Sequence, residues 1–211
     1  MLVIVQARLN SKRFKKKVLY HIKDKPIIKH VVDRLKKSKF KNDIVVATSK
    51  NKFDDRLVEY LKFNKIKYFR GSLKNVAMRL FNAANLSNNK KFVRISADSP
   101  LIDSKIMDKM IKLSRDKRFK SYDIITNVFP RTFPKGLSVE IIKTELLKKY
   151  LNKMNKDEKE HVTKYFYKFS QIFKIKNLNN FNKRKYRLNC AIDTFNDLKK
   201  VKKLMNSLKI T

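Results

Sequence analysis

The chain opens on a short apolar, β-branched run, Leu2-Val3-Ile4-Val5, which passes through Gln6 and Ala7 into a turn crowded with Arg8, Lys12, Arg13, Lys15, Lys16 and Lys17. That pattern predicts a buried strand ending in a basic loop. Pro26 is placed as the first residue of a helix, and Ile27, Ile28, Val31, Val32 and Leu35 recur at spacings of three and four along its apolar face. Residues 43–48 predict a strand, with Ser49 and Asn51 opening the next turn, and 53–63 an amphipathic helix. A short strand over 66–69 ends at Arg70-Gly71-Ser72, a helix covers 76–84, and residues 91–95 form a fourth strand. Asp103 is placed to cap a helix over 105–113. Alternation of strand and helix through residue 115 predicts an α/β fold with a parallel sheet, helices on both faces and right-handed crossovers.

Beyond residue 120 the alternation breaks. Strands are expected over 122–126, 138–142 and 171–176, with a turn at 131–137 that uses Gly136, helices at about 143–153 and 157–168, and a polar loop over 177–185. A strand over 187–192, the cluster Asp193-Thr194-Phe195-Asn196-Asp197 and a helix to about residue 208 complete the reading. One domain over 1–211 is expected, with 120–180 a smaller lobe within it.

With 42% hydrophobic residues in 211, the chain can bury a sizeable core, and its single Cys190 excludes an intrachain disulfide and reads as a buried structural thiol. No stretch approaches the roughly 20 apolar residues of a membrane span, so a cytoplasmic protein is expected. The formal charge is +36, from 54 Lys and Arg against 18 Asp and Glu, and a basic surface gains affinity for nucleic acid by releasing counterions. Here, however, the excess is mostly Lys spread over nearly every predicted helix face and loop, and no helix-turn-helix, zinc finger or RNA-binding aromatic motif accompanies it. The sequence therefore points away from a nucleic-acid partner, and steeply salt-dependent binding to any duplex would mark that alternative.

The chemistry gathers at strand ends. In an open α/β sheet the loops at the carboxyl ends of strands line the ligand crevice, so the basic loop after the first strand is placed to hold a polyphosphate. Asp98 follows the fourth strand and reads equally as a crevice carboxylate or a turn former. Asp193 stands at a second strand-to-helix junction, where it or Thr194 also reads as an N-cap. Two carboxylates from distant junctions opposite a basic loop are the parts of a magnesium-nucleotide site, because Mg²⁺ takes one or two protein carboxylates and completes its octahedron with phosphate and water oxygens. The chain has no GxxxxGK[ST] and no GxGxxG. His21, His30 and His161 form no triad with a Ser or Cys; His30 reads as structural, and His161 as packed or hydrogen-bonded within the helix over 157–168.

Several motifs recur in order from residue 2 to about 200. They are Val3-Ile4-Val5-Gln6-Ala7-Arg8 with Ser11, Arg13 and Lys17; Val46-Ala47-Thr48; Phe69-Arg70-Gly71-Ser72 with Arg79; and Arg94-Ile95 with Ala97-Asp98-Ser99-Pro100-Leu101-Ile102-Asp103. Arg131-Thr132-Phe133-Pro134-Lys135-Gly136-Leu137 with Val139-Glu140, then Glu160-His161-Val162-Thr163, then Ile192-Asp193-Thr194 with Asp197-Leu198, continue the series. The set resembles the cytidylyltransferase family, in the branch of spore-coat polysaccharide biosynthesis protein F, related to CMP-sialate and CMP-KDO synthetases. The resemblance implies a Rossmann-like three-layer nucleotidyltransferase fold, CTP as nucleotide donor, Mg²⁺ as cofactor, and attack of an acceptor oxygen, typically of a sugar acid, on the α-phosphorus with release of pyrophosphate for surface polysaccharide. It implies that Arg8, Ser11, Arg13 and Lys17 hold the triphosphate, with Arg8 and Lys17 countering the charge that develops in transfer. Asp98 and Asp193 would hold the metal; Gly71, Ser72 and Arg79 would lie near the cytidine; Lys135 and Glu140 would face the acceptor; and the 120–180 lobe would serve a homodimer. Relatives usually end the first loop in Pro-Gly-Lys where this chain has Lys15-Lys16-Lys17, and Asn10 is its residue best suited to an unusual φ. Many carry Gly-Leu-Asp-Val-Glu where this chain has Ser138. A transferase of the same fold acting on another donor or on a phosphorylated acceptor is the alternative enzyme, and pyrophosphate release separates the two classes.

Overall fold

A computed structural model describes residues 1–11, 13–40, 42–180 and 188–208; the basic-loop Lys12 and most of the predicted polar loop lie outside the described residues. In chain order the elements are β1 (Leu2–Gln6), a small hairpin of β2 (His21–Ile22) and β3 (Lys25–Pro26), α1 (Ile27–Lys36), β4 (Asp43–Ser49), α2 (Asp55–Phe63), β5 (Tyr68–Gly71), α3 (Val76–Leu86), β6 (Lys91–Ser96) and α4 (Ser104–Arg115). The second half adds β7 (Ile124–Thr126), β8 (Glu140–Lys143), α5 (Thr144–Tyr150), α6 (Lys156–Glu160), α7 (Lys164–Lys168), β9 (Ile175–Asn177) and α8 (Phe195–Ser207).

Seven strands form one sheet in the order β5-β4-β1-β6-β8-β7-β9, and β8 alone runs against its neighbours. Residues 120–180 therefore extend the same sheet. β1 lies between β4 and β6, pairing in parallel with both. The chain leaves β1 toward β4 and β5, then returns to β6 on the other side of β1. Loops following β1 and β6 thus diverge, and the crevice between them is where α/β sheets take ligands.

Side chains alternate across β1. Val3 and Val5 join Val31, Leu57, Leu61 and Met107 on the face covered by α1, α2 and α4. Leu2 and Ile4 face Leu80, Ala84, Leu147 and Phe166 of α3, α5 and α7. Each fully buried Val, Leu or Ile contributes about 1.5–3 kcal/mol, so the two apolar layers fix the sheet and hence the height of its loops. A third cluster joins Phe14 of the basic loop, Ile22 and Ile27 to Ile192, Leu198, Val201 and Met205 of the α8 segment.

Several local expectations shift. Pro26 has extended backbone (φ −69, ψ 155) and is the N-cap of α1, one residue before the first helical position. The strand expected over 66–69 is Tyr68–Gly71, because Lys65 turns with φ 52 and the Ile66 N–H closes back on the Leu61 carbonyl at 2.8 Å. The helix expected over 157–168 is two short helices broken at His161–Thr163, and the break is bridged by Lys164 Nζ on Asp157 Oδ2 at 2.5 Å. Residues 171–174 precede rather than join β9. Within 188–192 only an isolated bridge, Lys135 with Asn189, replaces the expected strand, while Arg187 is outside the described residues. His30 is buried, with Nε2 2.8 Å from the Ile22 carbonyl, and Cys190 is a buried free thiol whose pKa burial raises.

Candidate active site

The first segment of the candidate site is the basic loop between β1 and β2. Its N-terminal end is held by a buried carboxylate: Asp54 Oδ1 accepts the Leu9 N–H at 2.6 Å, and Oδ2 accepts the Ser49 N–H at 3.1 Å together with the Ser49 hydroxyl. The Leu9 carbonyl in turn accepts from Ser11 N at 3.0 Å and Lys16 N at 2.7 Å, closing the turn on itself. Lys16 makes this closure in the left-handed region (φ 58, ψ 14). Asn10, the residue expected to take unusual φ, is not among the positive-φ positions. The turn therefore closes without glycine.

Closing the loop places Lys17, with its side chain 11% exposed, at the centre of the site. Its ammonium donates to Asp98 Oδ2 at 2.8 Å, to the Ile192 carbonyl at 2.7 Å and to Asp193 Oδ1 at 3.2 Å. Asp98 is fixed at the end of β6, where its carbonyl accepts the Ile192 N–H at 2.9 Å and Ser99 Oγ donates to its Oδ1 at 3.2 Å. Asp193 is free to serve the site because its neighbours cap the helix. Thr194 is the N-cap of α8, and Asp197 returns a capping-box bond while also accepting the Asp193 N–H at 3.1 Å. Burial raises the Asp197 pKa, but hydrogen bonds from Thr194 and from the Thr194 and Asp193 backbones outweigh it, and the carboxyl lies below its ordinary value. Arg13 Nη2 adds a second cation on Asp193 Oδ1 at 3.0 Å.

The donor set can be tested for a metal on this geometry. Asp98 Oδ2, Asp193 Oδ1 and the Ile192 carbonyl converge on one cation, the Lys17 ammonium, so they already define a cation-binding point made of oxygens. Among the described residues no cluster of three or more His, Cys, Asp or Glu gathers. Two carboxylates suit a divalent ion such as Mg²⁺ whose remaining positions are filled by water or phosphate oxygens.

Two cavities meet here. An inner one of about 240 Å³ is bordered by Arg8, Ser11, Arg13, Lys17, Asp98 and Asp193, and an outer one of about 650 Å³ by Phe129, Arg131, Ser138, Glu140 and Tyr167 among others. Arg94, Ser96 and His161 border both. Arg94 Nε donates to Gln6 Oε1 at 3.1 Å and Nη1 pairs with the buried Glu140, whose other oxygen lies 2.5 Å from the Tyr167 hydroxyl. Burial, then the adjacent carboxylate, push the Tyr167 phenol well above its ordinary pKa, so it stays a proton donor to Glu140. Arg8 reaches Glu160 at 2.5 Å.

Of the residues expected at the site, Arg8, Ser11, Arg13, Lys17, Asp98 and Asp193 thus surround the inner cavity, and Glu140 borders the outer one. Gly71, Ser72 and Arg79 line neither. Arg79 is wholly buried: Nη1 donates to the Ser72 carbonyl at 2.7 Å, while Nε and Nη2 have no partner among the described residues. Burial lowers its pKa to about 10, opposed by the Asp54 carboxylate. Gly71 makes room for it, since a Cβ there would lie 2.8 Å from Arg79 Cγ. Lys135 is exposed and borders neither cavity; its carbonyl accepts the Cys190 N–H at 2.8 Å, beside Gly136 at φ +88. His161 does not pack within a helix: it is exposed at the end of α6 and faces both cavities. Gln6, Arg94 and Glu160 stand in the sequence only as members of motifs, and nothing there singles out Asp54 or Tyr167.

A switch-point crevice with a basic loop on one strand end and carboxylates on two other junctions marks an α/β protein whose ligand crevice has the layout of a polyphosphate and cation site. Comparison with known proteins places it further. The family model for cytidylyltransferases matches residues 2–210, and the chain belongs to that family. The spore coat polysaccharide biosynthesis protein SpsF of Bacillus subtilis is 28% identical over 213 residues, covering 97% of this chain and 85% of that one. The structure of a cytidylyltransferase from Leptospira borgpetersenii superposes with a TM-score of 0.90 at 33% identity, covering 98% and 87% of the two chains. A CMP:2-keto-3-deoxy-manno-octonic acid synthetase solved with CTP shares the fold at a TM-score of 0.75 and 17% identity, over 98% and 99% of the chains.

Proposed function

We propose that the protein transfers the cytidylyl group of CTP to an oxygen of a sugar acid or similar acceptor, with release of pyrophosphate, in the assembly of a surface polysaccharide. The observation that carries the reading is the convergence of Lys17, Asp98 and Asp193 in a cavity that opens, past Arg94, Ser96 and His161, into a second one large enough for an acceptor. Transfer at phosphorus asks the protein chiefly for positioning and for cations against the charge on the phosphoryl oxygens and leaving group. Arg8, Ser11 and Arg13 would bind the triphosphate, and the ammonium of Lys17 would move from the carboxylates to phosphate oxygens. A divalent ion, held by Asp98 and Asp193, would add charge neutralisation on the same oxygens. Arg79, with two unpartnered donor groups, together with Ser72 and Gly71, would lie on the cytidine side. The Arg94–Glu140–Tyr167 chain would keep the shared wall rigid between donor and acceptor. The 120–180 segment would supply the acceptor side and a homodimer contact, and the protein would work in the cytoplasm; no helix among the described residues is long and apolar enough to cross a membrane.

Calorimetric titration of CTP, ATP, GTP and UTP with Mg²⁺ tests the donor. Selective CTP binding that the Asp98→Ala, Asp193→Ala double variant loses is expected. Equal binding of all four, or of duplex nucleic acid with the same affinity in the double variant, overturns the assignment. Pyrophosphate release on adding candidate sugar acids then identifies the acceptor.

A further inference from the structure

A cavity of about 660 Å³ lies outside the crevice just described, between the exposed stripe of α2 and the basic loop, and it shares no lining residue with the inner or the outer cavity. Arg8, Ser11, Arg13 and Lys17 border the inner cavity, whereas Lys16, Tyr20 and His21 border this one, so one loop is a wall of both. One end carries positive charge. Asp54, the residue before α2, accepts the Leu9 N–H at 2.6 Å, and the Leu9 carbonyl accepts the Lys16 N–H at 2.7 Å, so two bonds tie Lys16 to the start of α2, where Arg56 stands. Both side chains line the cavity, and neither has a carboxylate within ion-pair distance among the described residues.

The other end is aromatic. At a rise of about 1.5 Å per residue, Glu59 and Tyr60 stand one turn beyond Arg56 along α2, and Phe63 about 10 Å beyond it. Phe63 is 88% exposed, and Tyr20 supplies a further ring from the loop, held by Phe14 with centroids 4.6 Å apart and by the Ile27 N–H on its carbonyl at 2.9 Å. Glu59, between the cations and the rings, has no cation paired with it among the described residues. The lining is thus graded along one axis. Lys16 and the fork of Arg56 suit a phosphate, a lone carboxylate accepts from neighbouring hydroxyls, and aromatic rings stack on any base. A phosphate, a hydroxyl-bearing sugar and a planar ring in that order are the parts of a nucleoside monophosphate, and the volume lies within the roughly 300–1,000 Å³ of small-molecule sites.

We infer that this cavity is a second nucleotide site, which takes a ribonucleoside 5′-monophosphate with its phosphate on Lys16 and Arg56, its ribose hydroxyls on Glu59 and its base against Tyr60 and Phe63. The inference goes beyond the proposed reaction and does not rest on it, since none of these residues lines the inner cavity.

The test is a fluorescence titration. The chain contains no tryptophan, so Phe63→Trp sets a single indole at the aromatic end of the cavity, and Phe53→Trp, at a position 66% exposed that does not line it, is the control. AMP and CMP should each change the emission of Phe63→Trp to saturation, and adenosine, ribose 5-phosphate and 2′,3′-dideoxy-AMP should bind at least about tenfold more weakly than AMP, as expected for the loss of a hydrogen bond to a charged group or of the stack. Added to this reporter, Arg56→Met should weaken AMP by at least about tenfold, Glu59→Gln should remove the preference over the dideoxy form, and the pair Asp98→Ala, Asp193→Ala should leave AMP binding as it was. Arg56 and Glu59 are exposed, and their variants should melt as the parent does. Calorimetry with the unsubstituted chain covers a reporter that itself fills the cavity: AMP binding that survives Asp98→Ala, Asp193→Ala and falls in Arg56→Met supports the site. A silent Phe63→Trp together with no AMP binding by calorimetry, binding that Asp98→Ala, Asp193→Ala abolishes, a response equal in Phe53→Trp, or an affinity indifferent to Arg56→Met and Glu59→Gln overturns the inference.

Discussion

Replacing Lys17 with Met removes one charge from the centre of the site while keeping most of the buried stem. Three acceptors then lose their donor: Asp98 Oδ2 at 2.8 Å, the Ile192 carbonyl at 2.7 Å and Asp193 Oδ1 at 3.2 Å. A hydrogen bond to a charged group contributes about 1.5–3 kcal/mol net. A divalent ion entering the wild-type site without nucleotide must displace the ammonium and forfeit at least one such bond, whereas in Lys17→Met it meets two open carboxylates. The difference predicts that Mn²⁺ binds nucleotide-free Lys17→Met roughly tenfold to a hundredfold more tightly than wild type, at about 1.4 kcal/mol per factor of ten. CTP should bind the variant more weakly, because in the proposed reaction the same ammonium would serve the phosphates. Free Mn²⁺ followed by electron paramagnetic resonance during titration reads the first effect, and calorimetry with CTP the second. Unchanged or weaker Mn²⁺ binding by a folded variant would refute the idea that ammonium and metal compete for one point.

Lys16→Gly should stabilise the protein by about 0.5–1 kcal/mol in urea unfolding, because a non-glycine residue at φ 58 carries a left-handed strain of roughly 1–2 kcal/mol, partly offset by the entropy glycine loses on folding; a destabilised variant would contradict the observed turn. Asp54→Ala orphans the Leu9 N–H and both Ser49 donors, and should cost about 3 kcal/mol or more and weaken CTP binding although Asp54 touches no cavity; a loss under about 1 kcal/mol would show that the loop does not depend on it. Asp197 has a folded pKa below its unfolded value near 3.8, so its contribution is present above that value and is lost as pH falls through the folded one. The stability gap between wild type and Asp197→Asn should therefore shrink as pH is lowered from about 6 to below about 4, and a constant gap would refute the capping role.

How much of this was legible in the sequence depended on distance along the chain. The strand–helix alternation to residue 115 is local periodicity, and β1, β4, β6, α1 to α4 and the Asp103 cap follow it to within a few residues. The ends of β5 moved because closure of the preceding turn at Lys65 and Ile66, a backbone matter, decided where pairing with β4 began. The break at His161–Thr163 has no glycine or proline to announce it, and Val162, Tyr165 and Phe166 keep a helical spacing across it. At the candidate site, the basic loop and Asp98 could be placed from strand ends alone. Asp193 could be placed at a second junction in the same way, but that both carboxylates meet on the Lys17 ammonium could not, since 176 residues separate Asp193 from Lys17. Asp54 and Tyr167 were hidden for a related reason: each acts by satisfying donors or acceptors on other strands, and one carboxylate or phenol in an amphipathic segment looks like any other.

The late position of Asp193 also bears on how the protein is made. Lys17 and Asp98 leave the ribosome well before their third partner, and at about 5–20 residues per second the 176 residues from Lys17 to Asp193 take roughly 10 to 35 seconds to synthesise. Until then the ammonium has one carboxylate rather than two, and Phe14, Ile22 and Ile27 lack the α8 surface that covers them. A nascent chain can therefore build most of its sheet while its basic loop still lacks backing, and the proposed site is completed in one late step rather than growing with length.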